Sequence, residues 1–134
     1  MSGLFNHSVS KILSSDNLPL VSVIIAARNE EKGLPFLIHD LVNQEYPLGK
    51  LEIIFINDRS TDLTETIIEE ASENYSFIKN IKIEVKSEEM TPKKYALTKG
   101  IELAKGEVII STDADCRVGK LWVSSMTYDV IKND

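Results

Sequence analysis

One cysteine, Cys116, stands in the 134-residue sequence, so no disulfide can form within the chain and a reducing cytoplasm fits it. No apolar run approaches the roughly 18 residues that would read as a membrane span. The first residues lack a charged stretch followed by an apolar one, so no secretory signal is read there. Basic residues are the minority, 15 Lys and Arg against 21 Asp and Glu, for a net charge of −6. That deficit argues against nucleic acid as a partner, because phosphate backbones are gripped by clustered cations. It leaves room for a single nucleotide, whose phosphates a local cation can bridge to carboxylates. Histidine is scarce too, and His7 and His39 have no ligand-like companions. Neither an internal repeat nor a low-complexity segment is present.

What is present is one domain's length of chain with a regular rhythm. Residues 1–18 are polar and read as a lead-in, with a short helix over 7–13. Residues 19–134 carry the pattern. Val21 to Ala27 is a short, β-branched apolar run and predicts a buried strand. Asn29 is positioned to cap the helix that follows, and Glu30 and Glu31 suit its positive end. Leu34, Leu37, Ile38, Leu41 and Val42 recur at helical spacing. Leu51 to Ile56 predicts a second strand, and 57–62 a turn rich in capping residues. Leu63, Ile67, Ile68 and Ala71 give a second helical stripe. Ile81 to Val85 alternates and predicts an edge strand with one wet face. Pro92 to Ala104 reads as a third helix, 107–111 as a fourth strand and 119–131 as a last helix. The order β-α-β-α-β-α-β-α predicts an α/β fold with an open, mostly parallel sheet and helices on both faces.

In such sheets ligands bind beyond the carboxyl ends of the strands, where the strand order reverses. A 3-2-1-4 order would make strands one and four neighbours at that point. It would gather Glu30, Asp58, Asp113 and Asp115 on one edge, a costly arrangement unless a cation or hydrogen-bond donors compensate it. Asp113-Ala114-Asp115 is by itself common turn chemistry. In an extended stretch, though, residues i and i+2 face the same side and can hold one hard divalent ion. Asp58 could simply support a helix cap at Ser60 and Thr61, or accept an N–H from a pyrimidine ring. Arg28 could be a surface charge or stack on a base. Lys93 and Lys94 open a helix, where cations are slightly unfavourable, which points to an anion nearby. Cys116 reads as a packed thiol.

Taken in order, Val21 to Glu30, Ile54 to Asp62, Lys93, Ala96-Leu97, Gly100, Ala104, Gly106-Glu107 and Asp113-Ala114-Asp115 resemble glycosyltransferase family 2. The resemblance runs from Leu20 to about Trp122. It implies the GT-A fold, a Rossmann-like architecture of the nucleotide-diphospho-sugar transferase type. It also implies inverting transfer from a nucleotide-diphospho-sugar, usually a UDP-sugar, with Mg²⁺ or Mn²⁺. By position, Ala26, Ala27, Arg28 and Glu30 would line the nucleoside pocket and Asp58 would bind the base. Lys93 would lie near base or diphosphate, Asp113 would contact ribose or metal, and Asp115 would ligate the metal.

Three departures stand out. Asn57 replaces the first of the usual two acidic residues, Arg28 sits where an aromatic is common, and Pro92 precedes Lys93 where Gly is frequent. The family's acceptor side and catalytic carboxylate lie well beyond Asp-x-Asp, so by resemblance the domain is truncated and no catalytic residue is assigned. The acceptor, a glycan or a lipid-linked molecule, is not specified by these residues. The Asp113 to Gly119 variant resembles members with later membrane helices, which implies a parent anchored with this domain on the cytosolic side. Two other classes fit parts of the pattern. One is a Mg²⁺-binding receiver-like signalling domain, which needs an aspartate at the end of its third strand, where this chain has Glu84-Val85-Lys86. The other is a non-catalytic interaction module, which could dimerise through the exposed sheet edge.

Overall fold

The computed structural model describes residues 17–133, so the expected lead-in helix lies outside the described residues. Four strands, β1 (Val21–Ala27), β2 (Leu51–Asp58), β3 (Ile78–Ile83) and β4 (Val108–Ser111), form one parallel sheet in the order β3-β2-β1-β4. Four helices separate and follow them: α1 (Leu34–Val42), α2 (Thr64–Asn74), α3 (Pro92–Leu103) and α4 (Trp122–Lys132). A short 3₁₀ turn over Leu48–Lys50 leads into β2.

The alternation of side chains along a strand divides the core in two. Val21, Val23, Ile25 and Ala27 of β1 and Leu51, Ile53 and Phe55 of β2 face one way and pack with Leu34, Leu37, Ile68 and Val123. Their intervening neighbours, Ile24, Ile54 and Ile56, face the other way and pack with Ala96 of α3 and Ile83. Helices therefore cover both faces, and the central strands are continuous apolar runs because neither side meets water.

β3 departs from expectation. The alternating run 81–85 predicts the strand too late by three residues at its start and two at its end. Its extent is set by the ladder with β2, from Ile53↔Ile78 to Asp58↔Ile83. Beyond that register no partner remains, and Val85 is 77% exposed. The strand is nonetheless at the sheet edge, as its pattern predicts. The 3-2-1-4 order also disposes of the receiver-like alternative, whose flavodoxin-like sheet runs 2-1-3-4-5.

Two close approaches fix how layers meet. α3 crosses β1 at Gly100, where a Cβ would lie 2.4 Å from Cγ2 of the buried Ile24. At the foot of the sheet, Glu52 is buried and accepts from Ser22 Oγ, Lys79 Nζ (2.8 Å) and the Lys105 amide (2.6 Å). The Gly106 amide donates to Ser22 Oγ at 2.8 Å, which ties the start of β4 to β1. Burial would raise the Glu52 carboxyl, but the Lys79, Ser22 and Lys105 donors outweigh it and hold the group below its ordinary value.

Gly100→Ala tests the first contact. The added methyl forces Ile24 from its rotamer and should cost about 1–3 kcal/mol, read as a lower urea midpoint at unchanged slope.

Candidate functional site

β1 and β4 end side by side at the point where the strand order reverses. Their trailing loops, with the end of β2 and the first turn of α3, enclose an open pocket of about 390 Å³. Ala26, Ala27, Arg28, Glu30, Asp58, Lys93, Asp113 and Asp115 all line it, joined by Pro92, Ala96 and Ala114. Every residue singled out from the sequence as a site candidate thus reaches one cavity. Asn57 does not. It is buried on the opposite face of β2, with its amide 3.4 Å from Glu65 Oε1.

The floor of the pocket is held by a lock between two loops. Asn29 adopts φ 52°, a left-handed conformation that Asn tolerates better than most residues. Its Oδ1 accepts from the amides of Thr61 (2.7 Å) and Asp62 (3.3 Å) and from Thr61 Oγ1 (3.3 Å). In return the Asn29 amide donates to Ser60 Oγ (3.0 Å), and the Glu30 amide to Thr64 Oγ1 (2.9 Å). Glu31 adds a further pair, its amide donating to Asp62 Oδ2 and its Oε1 accepting from the Leu63 amide. Asn29 is therefore not a cap of α1, which starts at Leu34 after Gly33 with no side-chain cap. Nor does Asp58 support Ser60 and Thr61. Its carboxylate receives Arg59, Nε to Oδ1 at 2.8 Å and Nη2 to Oδ2 at 3.3 Å.

On the β4 side, Asp113, Asp115 and Cys116 bring one ligand atom each within 4.8 Å of one another, all three exposed. Cys116 is thus an exposed thiol and not the packed one expected. Lys93 Nζ donates to Asp113 Oδ1 at 2.5 Å, so the anion its helix-start position implies is Asp113. The pairing raises the Lys93 ammonium above its ordinary range. The loop after Asp115 is clamped to α1. Arg117 grips Asp40 through Nε (2.7 Å) and Nη2 (2.9 Å), lies 5.2 Å over the Phe36 ring, and Val118 N also donates to Asp40. Nothing in the sequence flags this pair, which joins residues 77 apart.

Electrostatically the pocket is crowded with negative charge. Burial raises the Glu30 carboxyl above its ordinary value, and the nearby Asp115, Asp62 and Asp113 raise it further. Asp113 and Asp115 offer hard oxygens, the donor set that suits Mg²⁺ or Mn²⁺. The Lys93 ammonium already stands as a cation on one of them.

The model of the family described as glycosyl transferase family 2 matches residues 22–134. The chain belongs to this family. Among its relatives, a β-monoglucosyldiacylglycerol synthase of the cyanobacterium Nostoc is 39% identical over 103 residues, 76% of this chain and 21% of that protein. The structure of S. aureus TarS residues 1–349 superposes with a TM-score of 0.71 at 27% identity, covering 84% of this chain and 32% of that one; the same segment is also known with UDP-GlcNAc. The mannosyltransferase PcManGT from Pyrobaculum calidifontis, in complex with GDP-Man and Mn²⁺, superposes with a TM-score of 0.68 at 25% identity, covering 80% and 31%. This family 2 chain has the GT-A fold. It spans about a fifth of the length of that curated relative and a third of the solved chains.

Substitutions at two positions test the site's construction. Asn29→Ala removes the lock and leaves Ala in a left-handed conformation, at a cost of about 2–3 kcal/mol; Asn29→Gly removes only the lock and should cost about 1 kcal/mol less. Equal losses in thermal unfolding would mean that backbone conformation contributes nothing. Glu30→Gln removes one charge from a repelling cluster. Because the folded-state carboxyl is raised, its ionised form opposes folding at neutral pH, and that opposition fades as pH falls through the raised value. In metal-free buffer the variant should melt higher than wild type at pH 7 and match it near pH 4.

Proposed function

We propose that this chain binds the nucleoside diphosphate of a sugar donor, a UDP-sugar, together with Mg²⁺ or Mn²⁺. The observation that carries the reading is the single pocket at the β1/β4 switch point that collects Ala26, Ala27, Arg28, Glu30, Asp58, Lys93, Asp113 and Asp115. Ala26 and Ala27 are small, so a nucleoside can approach the strand ends closely. Arg28 stacks its guanidinium on the base where other members offer an aromatic ring. Asp58 accepts the ring N–H. Asp115 would hold the divalent ion, Asp113 would contact the ion or the ribose, and Lys93 would turn from Asp113 to the diphosphate. The bound ion would neutralise charge developing on the leaving diphosphate.

The parent reaction is inverting transfer. The acceptor hydroxyl oxygen bonds to the anomeric carbon from the face opposite the diphosphate, the anomeric C–O bond breaks, and a base takes the hydroxyl proton. By resemblance the family's catalytic carboxylate lies well beyond Asp-x-Asp, so none of the four carboxylates lining the pocket is assigned as that base. On this reading the chain alone binds donor without transferring sugar, and acts on a glycan or lipid-linked acceptor only within a longer, cytosol-facing protein. The UDP-GlcNAc and GDP-Man complexes of the structural neighbours support a donor in this class.

Calorimetry with UDP, with and without Mn²⁺, decides the matter. Binding should require Mn²⁺, and Asp115→Asn should weaken it at least about tenfold. Absence of binding at millimolar UDP with Mn²⁺ overturns the proposal, and unchanged affinity in Asp115→Asn moves the metal elsewhere.

A further inference from the structure

β3 is an open edge that carries more pattern than the sheet uses. Ile81, Lys82, Ile83, Glu84 and Val85 alternate apolar and charged, yet the ladder with β2 ends at Asp58↔Ile83. Among the described residues no strand pairs with the other side of β3. We propose that this edge pairs antiparallel with the same edge of a second copy, about a twofold axis at Ile83, joining two four-stranded sheets into one. The interface is independent of what the pocket binds.

The backbone restricts the possible registers. Ile53 N donates to Phe77 O at 2.8 Å, and Arg59 N to Ile83 O at 3.2 Å, at the two ends of the ladder. Successive residues of a strand turn their N–H and C=O groups to opposite sides. The odd-numbered residues therefore bond inward to β2, while Ile78, Asn80 and Lys82 turn theirs outward. In the single chain the backbone bends at Val85, and pairing would draw Glu84 and Val85 into the same alternation. A twofold antiparallel pair must set outward-facing residues opposite one another, which it does with its axis at 81, 82, 83 or 84. Axes at Lys82 and Glu84 each set like charges face to face, which is unfavourable. An axis at Ile81 sets Lys82 against Asn80 and Lys79 against Ile83. An axis at Ile83 sets Lys82 against Glu84 twice, Ile81 against Val85 twice, and Ile83 against itself. That register alone matches charge with opposite charge and apolar with apolar.

The two faces of the edge agree with it. Lys82 meets Glu65 of α2 at 2.8 Å and is still half exposed, so its ammonium can also take Glu84 of the second copy. On the other face Ile81 and Ile83 pack toward Ala96 of α3. With Val85 they border a groove of about 410 Å³ whose far wall includes Tyr95 and Leu103. Val85 and Leu103 are both exposed large apolar groups. In the paired register Val85 of each copy lies over Ile81 of the other and is covered at this groove. β4, the sheet's other edge, offers only Val108–Ser111, with no charge to fix a register.

Sedimentation of the 134-residue chain at low salt, from about 10 µM to 1 mM, tests the contact, whose small extent predicts a weak dimer. The weight-average mass should rise from 15.0 kDa toward twice that value. Glu84→Lys sets Lys against Lys twice and should weaken association at least about tenfold. It also makes the net charge of −6 less negative, which by itself favours association, so the loss reads the register and not overall charge. Lys82→Glu should weaken association equally, by setting Glu against Glu. An equimolar mixture of the two variants restores both Lys–Glu pairs and should dimerise as wild type does. Val85→Asp, at an exposed position, takes the place of Lys82→Glu if circular dichroism shows that variant unfolded; it should weaken the dimer by setting a charge against Ile81. A wild-type chain that stays monomeric overturns the proposal. So does a dimer that persists in the folded variants, or a mixture that fails to associate. A dimer lost in Ile109→Lys but kept in Glu84→Lys overturns it too, and moves the contact to β4.

Discussion

A parallel strand covered on both faces has no place for a charged side chain except at its ends. β1 is such a strand, paired on both sides and buried along its length. All polarity that this part of the sheet displays toward a ligand is therefore displaced into the residues that follow Ala27, Ile56 and Ser111. That constraint makes one edge of the sheet acidic and the body of it aliphatic. Glu52, the exception inside β2, is tolerated because Ser22, Lys79 and Lys105 supply three donors to it.

Placing polar loops at a common edge does not by itself give a site, because loops after different strands move independently unless something joins them. Asn29 does so for the first two. Its oxygen takes the amides at the start of the β2–α2 loop, while Ser60 and Thr64 take the amides of its own loop. The exchange is reciprocal, so neither loop can shift without breaking bonds in both. Arg117 and Asp40 do the same for the loop after β4, tying it to α1. The pocket is thus bounded by three loops, each anchored outside the cavity.

The central strands, the polar loops at their ends and eight of the eleven residues that line the pocket are legible in the sequence because local patterns encode them: apolar runs, capping residues, Asp-x-Asp at the end of a strand. What was not legible depends on contacts between distant residues or on backbone angles. β3 opens at Ile78 with Lys79 and Asn80, which lie before the alternating run, and it ends before Val85, which completes an alternation the sheet never uses. Asn29 looks like a cap from its neighbours alone, because nothing local reveals that Thr61 waits for it. Arg59 is an ordinary turn residue until a positive φ turns it back on Asp58. The pairing of Asp40 with Arg117 leaves no local trace at all.

The distribution of cations within the pocket bears on where the proposed metal would sit. Of its four carboxylates, two already have a partner: Asp58 holds Arg59, and Asp113 holds Lys93. Among the described residues, no ion pair serves Glu30 or Asp115. Among the charges that raise the Glu30 carboxyl, after burial itself, Asp115 acts most strongly. On the proposed donor reading, Asp115 would hold the divalent ion, which would relieve its repulsion with Glu30, and Lys93 would be shared between Asp113 and the diphosphate. Asp113 would also contact the ion or a ribose hydroxyl. On that reading, the end of the pocket that takes the base is already compensated by Arg59 on Asp58 and the phosphate end by Lys93 on Asp113.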